Sequence, residues 1–336
     1  MKSSDPTRTS LPNNVPVHVV GAGGAGMNAI AAVLLSMGHQ VSGSDLRESV
    51  GVNRLRSLGA KIDIGHRATN IGDAQIVCRS TAVPDSNEEI LAARELGREV
   101  WSRADVLSAI CEQKLTVAVS GTHGKTTTSS MLALALTAAG LNPSFIVGGD
   151  LNDIGSGAVW KDDGKLFVVE ADESDGTFLR LNAEAAVVTN VEADHLDFFG
   201  SYEALVESFE RFLATANGPR VVCVDDPGAA KISSTVGECI TYGRSKHADY
   251  QIVDVENHRY SSTFGILNEG QIIGECDLPV PGVHNVLNAT AAFVTALELG
   301  ASADLVLRAL GRFAGVARRF EFRGEQDGVV FVDDYA

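Results

Sequence analysis

Short apolar runs recur along this chain, each closed by a glycine-rich or acidic turn and followed by a stretch with helical spacing. Residues 15–20 form a β-branched run that flows into glycines at 21–26 and then a helix of small residues through Met37. Strand-like runs at 40–44, 62–64 and 74–79 alternate with helical ones at 50–58 and 86–96. That alternation predicts a first α/β domain over 15–111, behind a mobile tail at 1–14. A second series starts with apolar residues at 115–119, a glycine loop and a helix over 129–139, and continues through apolar strands at 166–169, 185–189 and 220–224. Uninterrupted apolar strands between helices predict a parallel sheet covered on both faces.

From 239 to 278 the period changes to short alternating strands with the turn Asn268-Glu269-Gly270, which predicts a small antiparallel β appendage. Helical spacing returns at 284–299 and 303–313, so a central domain is expected over 112–315. The strand-like runs at 319–323 and 329–333 leave a strand with nothing to cover it, so 316–336 reads as a hinge and the first strands of a truncated third α/β domain.

With 336 residues, 45% of them hydrophobic, the chain can bury sizeable cores in two or more domains. Its net charge of −16 and the lack of any Lys/Arg-rich block argue against a nucleic-acid partner and leave phosphate binding to local sites. The five cysteines, at 78, 111, 223, 239 and 276, are widely spaced and read as reduced thiols. The first fifteen residues lack the apolar core of a signal peptide, and no run of about eighteen apolar residues occurs, so a cytoplasmic enzyme with no membrane partner is expected.

The sharpest chemical signal is Gly121-Thr122-His123-Gly124-Lys125-Thr126-Thr127, set between an apolar strand and a helix. Glycines let backbone N–H groups curve around phosphate oxygens, the helix N-terminus adds a positive dipole end, Lys125 brings a mobile charge, and the Thr126 hydroxyl suits Mg²⁺. ATP is the ligand this pattern predicts. The two glycines enclose only two residues where the common phosphate loop has four, so a generic nucleotidase is a poor match.

Four further constellations stand at strand ends or helix starts. Gly21-Ala22-Gly23-Gly24-Ala25-Gly26 with Asp45 fits a diphosphate loop, for NAD or for a UDP-sugar, with a tight unliganded turn as the plain alternative. Glu170 opens an acidic cluster with Asp172, Glu173 and Asp175, suited to Mg²⁺ or simply a solvated turn. His195 lies among Glu192, Asp194 and Asp197, a metal or phosphate site or an ordinary surface histidine. Asn285 and Asn288 share one helix face, where their amides could read a purine or cap the helix, and Arg318-Arg319 could clamp phosphate or lie exposed.

Taken in order, these segments resemble the Mur ligase family, over residues 16 to 336. The likeness is carried by Gly21 to Met27 with Gly43-Ser44-Asp45, Ser80-Thr81-Ala82, Gly121 to Thr127, Val169 to Ser174, Asn190 to His195, His284 to Asn288, Gly315 to Phe320 and Asp333-Asp334-Tyr335. The resemblance implies a Rossmann-like N-terminal domain for a UDP-sugar, a central P-loop-type ATPase domain, and a C-terminal domain that helps bind the amino acid. It assigns Gly21, Ala22, Gly23, Gly24, Ala25, Gly26, Asp45, Ser80, Thr81 and Ala82 to the UDP-sugar. Gly121, Thr122, His123, Gly124, Lys125, Thr126, Thr127, Asn285, Asn288, Arg319 and Asp334 would bind ATP. Lys125, Glu170 and His195 would be catalytic, with Thr126, Glu170 and His195 holding Mg²⁺.

The reaction so implied phosphorylates the lactyl carboxylate of UDP-N-acetylmuramate with ATP, after which the amine of L-alanine attacks the acyl phosphate. Relatives that add later amino acids use a carbamylated lysine after the Asp-His motif, whereas residues 201–215 contain no lysine, in keeping with an alanine-adding member. The family's Asp-Asp-Tyr motif ordinarily runs on into a whole domain, while this sequence stops at Ala336. That departure keeps open a non-catalytic UDP-sugar or nucleotide-binding module; a second alternative, within the family, is the ligase that attaches a recycled peptide to the same sugar, against which the Gly23 to Met27 opening favours the single-residue enzyme. An NAD-dependent oxidoreductase would leave the 121–127 loop unexplained.

Overall fold

A computed structural model describes residues 11–317 and 321–334, and the chain divides into two compact units. The first comprises residues up to Lys114 together with Ala158–Asp162; the second takes Leu115–Gly157 and Asp163 onward.

In the first unit β1 (Val17–Val20), β2 (Val41–Asp45), β3 (Lys61–Ile64), β4 (Ile76–Arg79) and β5 (Glu99–Ser102) form a sheet in the order β3-β2-β1-β4-β5. Every pairing is parallel. Helices α1 (Ala25–Ser36), α2 (Val50–Ser57), α3 (Glu88–Glu95) and α4 (Arg103–Cys111) connect the strands. A strand buried on both faces must be apolar throughout, and Val17, Val19 and Val20 are buried. Register then fixes the site: Val20 stands opposite Ser44 on one side and Arg79 on the other. The loops after β1, β2 and β4 therefore leave the sheet along one edge, at the point where strand order reverses.

The second unit holds β6 (Leu115–Ser120), α5 (Lys125–Ala138), β7 (Ser144–Leu151), the start of β8 (Ser156–Val159), β9 (Leu166–Glu170), β10 (Ala183–Val188), α6 (Leu196–Phe199), α7 (Tyr202–Ala214), β11 (Arg220–Cys223) and α8 (Pro227–Val236). It continues with β12 (Ile240–Gly243), β13 (Tyr250–Asn257), β14 (Ser262–Asn268), β15 (Gln271–Leu278), α9 (Val283–Glu298) and α10 (Ala303–Leu310), and ends in a hairpin of β16 (Glu321–Gln326) and β17 (Val329–Asp333). The main sheet runs β15-β14-β13-β12-β11-β10-β6-β9-β7-β8. The expected antiparallel segment is thus an extension of the central sheet: β12 and β13 join in parallel, and β14 and β15 fold back as a meander.

Local chemistry sets the helix starts. Asp226 caps α8 by accepting from Ala229 N, and Pro227, whose missing N–H is no loss there, takes the first turn. Amphipathic α7 buries Phe209 and Phe212 against Phe178, at ring-centroid distances of 5.1 and 5.3 Å. Val188 pairs with Ser120, and Val119 with Glu170, so the loops after β6, β9 and β10 emerge together beside the central strand.

Candidate functional site

The loop after β6 has a shape that only glycine allows at two positions. Gly121 has φ of 133°, and a Cβ there would lie 2.1 Å from Thr189 Oγ1. Gly124, at φ 82°, starts α5 in the left-handed region, and its Cβ would lie 2.4 Å from Asn288 Oδ1. The segment after β10 holds the loop in place. His123 N donates to Asn190 Oδ1 at 2.8 Å, Thr189 Oγ1 donates to His123 O at 2.6 Å, and Glu192 N donates to Thr122 Oγ1 at 2.9 Å. The first-turn N–H groups of α5 have no intrahelical acceptor by construction, which makes this end a natural anion cradle.

Lys125 and Thr126 open that helix. The Lys125 ammonium donates to Gly121 O at 2.7 Å and to Glu173 Oε1 at 3.0 Å. Glu173 is 1% exposed, and burial pushes its carboxyl pKa up, opposed by the Lys125 charge. Thr126 Oγ1 donates at 2.9 Å to Glu170 Oε2, which also accepts from Gly148 N at 2.8 Å. A Cβ on Gly148 would lie 2.6 Å from that oxygen, so the strand passes flush against the carboxylate.

Beside the loop lies a cavity of about 250 Å³ lined by Gly124, Thr127, Asn285, Asn288, Phe313 and Asp334 among others. Thr128 Oγ1 donates to Asn288 Oδ1 at 3.2 Å, and Asn285 Nδ2 donates to Pro281 O at 2.8 Å. The other group of each amide, Asn288 Nδ2 and Asn285 Oδ1, has no hydrogen-bond partner among the described residues, and Phe313 and Val316 supply an apolar wall. His195 has a left-handed φ of 53°, its side chain is 40% exposed, and its ring lies 3.7 Å from Asp194 Oδ2. Among the described residues no group of three or more His, Cys, Asp or Glu is placed to hold a metal. Arg319 lies outside the described residues.

The first unit carries a cavity of about 590 Å³ at the strand-end edge, lined by Gly21, Gly23, Gly24, Asp45, Ser80 and Ala82 and also by Arg47, Ser49, His66 and Asn87. Asp45 staples the glycine loop to β2: its Oδ2 accepts from Gly23 N at 2.8 Å, and a Cβ at Gly23 would lie equally close to that oxygen. Ala22, Ala25, Gly26 and Thr81 are not among the lining residues; Ala22 is buried, and Gly26 packs against Arg103.

Sequence reasoning brought Lys125, Thr126 and Glu170 to one place, but it missed Gly148, Phe313 and His66 and assigned no role to Glu173. The apolar run before Gly148-Gly149 was the available signal for the first of these. Phe313, His66 and the Glu173 pairing depend on contacts that local pattern does not encode.

Comparison with known proteins identifies both units. The Mur ligase family catalytic domain matches residues 16–115, and the Mur ligase middle domain matches 119–296. A UDP-N-acetylmuramate–L-alanine ligase from Solidesulfovibrio magneticus is 48% identical across 95% of this chain and 70% of the relative. One from Methylocella silvestris is 43% identical across 97% and 72%. Among solved structures, the UDP-N-acetylmuramate-alanine ligase of Thermotoga maritima superimposes with a TM-score of 0.85 at 32% identity, covering 96% of this chain and 74% of that one. The UDP-N-acetylmuramate:L-alanyl-gamma-D-glutamyl-meso-diaminopimelate ligase from Neisseria meningitides gives 0.81 at 27%, covering 90% and 99%.

Proposed function

This chain belongs to the Mur ligase family, and we propose that it joins L-alanine to the lactyl carboxylate of UDP-N-acetylmuramate in an ATP-dependent step of peptidoglycan synthesis. The observation that carries the reading is the meeting of Lys125, Thr126 and Glu170 at the ends of two adjacent parallel strands, beside a cavity faced by Asn285 and Asn288. The acceptor is chosen by likeness: relatives at 43–48% identity, matched over most of their length, carry the alanine-adding name.

In this reading the glycine loop and the first turn of α5 bind the β- and γ-phosphates, and Lys125 turns from Glu173 toward them. The Thr126–Glu170 pair fits a hard divalent cation, because Glu170 Oε1 makes no hydrogen bond among the described residues and Mg²⁺ takes one or two protein carboxylates beside phosphate and water. Mg²⁺ held there would neutralise phosphate charge; His195 is the further proposed ligand. Lys125 offsets the repulsion between the sugar's carboxylate and the γ-phosphate as the new P–O bond forms and ADP leaves. The alanine nitrogen then attacks the acyl carbon, loses a proton, and inorganic phosphate departs with the C–O electron pair.

The cavity of the first unit is proposed to bind the UDP moiety, with Gly21, Gly23, Gly24 and Ser80 along the diphosphate and Asp45 toward the ribose. We place the reaction in the cytoplasm, where ATP and nucleotide sugars are found; among the described residues no helix is long and apolar enough to cross a membrane.

Lys125→Ala tests the assignment of the two sites. The variant should lose phosphoryl transfer and retain UDP-N-acetylmuramate binding; loss of both activities together would overturn it. A second reading, the peptide-adding ligase, draws on the likeness to the Neisseria enzyme, and offering L-alanine and a tripeptide as competing acceptors separates the two.

A further inference from the structure

Beneath the cavity of the first unit lies a buried carboxylate that the reaction does not use. Glu89, in the first turn of α3, is 0% exposed yet carries a full set of donors. Its Oε2 accepts from Ser44 Oγ at 2.6 Å and stands 3.3 Å from His66 Nδ1, while Oε1 accepts from Asn70 Nδ2 at 2.6 Å and from Arg67 N at 3.3 Å. The His18 ring packs on the same side, with Nε2 3.6 Å from Oε2. Burying a charge is costly unless it is paired and hydrogen-bonded, and a fully satisfied cluster of this kind holds its members rigidly in place.

The bonding pattern decides how His66 is protonated. A carboxylate only accepts, so the single Ser44 proton points to Glu89. Ser44 Oγ, 2.9 Å from His66 Nδ1, must therefore accept from that nitrogen, and Glu89 Oε2 can only accept from it as well. His66 Nδ1 consequently bears the hydrogen. In the neutral ring Nε2 is then an acceptor, and it has no partner among the described residues. Ser44 also precedes Asp45, so the same carboxylate braces two groups that line the cavity.

We propose that Glu89 is a positioning residue of the nucleotide-sugar site: through Ser44 it fixes His66 in the Nδ1–H tautomer and presents Nε2 to accept a hydrogen bond from an N–H or O–H of the uridine part of the ligand. The inference rests on reading this cavity as the UDP-sugar site. It adds His66 and Glu89 to the residues that select the nucleotide.

The test uses the intact chain, its Glu89→Gln and His66→Ala variants, and the double variant, titrated calorimetrically with UDP-N-acetylmuramate, UDP and ATP. Loss of one net hydrogen bond should weaken both uridine ligands by about three- to tenfold. The double variant should be no weaker than His66→Ala, and ATP affinity should stay unchanged. Histidine ¹⁵N shifts give the readout that a merely structural role would not move: His66 should show the Nδ1–H pattern in the parent and lose it in Glu89→Gln. An unaltered tautomer in Glu89→Gln, additive losses, or equal weakening of ATP would overturn the proposal. Failure of the parent chain to bind UDP-N-acetylmuramate would overturn the reading of the cavity, while the ¹⁵N shifts would still judge the role of Glu89.

Discussion

Lys125 and Glu173 form an ion pair at the glycine loop before α5, Nζ to Oε2 at 2.9 Å, with side chains only 14% and 2% exposed. In the proposed function the ammonium would exchange this carboxylate for phosphate oxygens when nucleotide binds. Removing one member of a buried pair is far more damaging than removing both, because the survivor is left charged and desolvated. Lys125→Ala should therefore lower thermal stability, and adding Glu173→Gln should recover part of the loss, with a coupling of about 1–3 kcal/mol in a double-mutant cycle. Differential scanning calorimetry without nucleotide reads this, and additive losses would show that the pair is not coupled.

Gly148 sets the position of Glu170. Its N–H fixes one carboxylate oxygen, and a methyl group there would displace it. By analogy with losses on disturbing the outer shell of metal sites, Gly148→Ala should raise the Mg²⁺ concentration for half-maximal activity about 10- to 100-fold. The KM for UDP-N-acetylmuramate should stay near its parent value. An unchanged Mg²⁺ titration would count against Glu170 as a ligand.

Gly124 meets Asn288 where α9 packs beside the loop. Alanine at this position takes on an unfavourable left-handed backbone and a clash, together costing on the order of 1–3 kcal/mol. Gly124→Ala should therefore melt earlier than the parent and bind ATP more weakly; Gly59→Ala, which has a positive φ but open space around it, should affect melting alone.

Glu89 also predicts an acid limb. Burial would raise its pKa, but the His18 ring 3.6 Å away and hydrogen bonds from Ser44 and Asn70 outweigh it and hold the group at about 2 against an ordinary 4.5. A carboxylate with a depressed folded-state pKa adds stability above its unfolded value and loses it as pH falls toward the folded one. Glu89→Gln should flatten the decline in melting temperature between pH 4.5 and about 2, the window set by those two values. A parallel decline in both proteins would contradict this.

The strand, glycine turn and helix at 115–138 were legible because they are contiguous, and Glu170 was singled out by its place at a strand end. Glu173 was visible as one acid among several, but its partner opens the helix that follows the neighbouring strand, and adjacency of β6 and β9 is a tertiary fact. The same limit hid Gly148, which matters only because β7 lies beside β9. Alternation along 239–278 revealed short paired strands, while the parallel joining of β12 to β13 depended on sheet order. Ser102-x-x-Asp105 did announce the start of α4 as a capping box, a local signal that pattern reading passed over.

The most direct test of the ligase assignment is to incubate the chain with ATP, Mg²⁺ and UDP-N-acetylmuramate, with and without L-alanine, and to weigh the product. The account predicts alanine-dependent release of one phosphate for each UDP-N-acetylmuramoyl-alanine formed. Phosphate release that ignores alanine, or a product carrying a peptide in its place when both acceptors are offered, would contradict it.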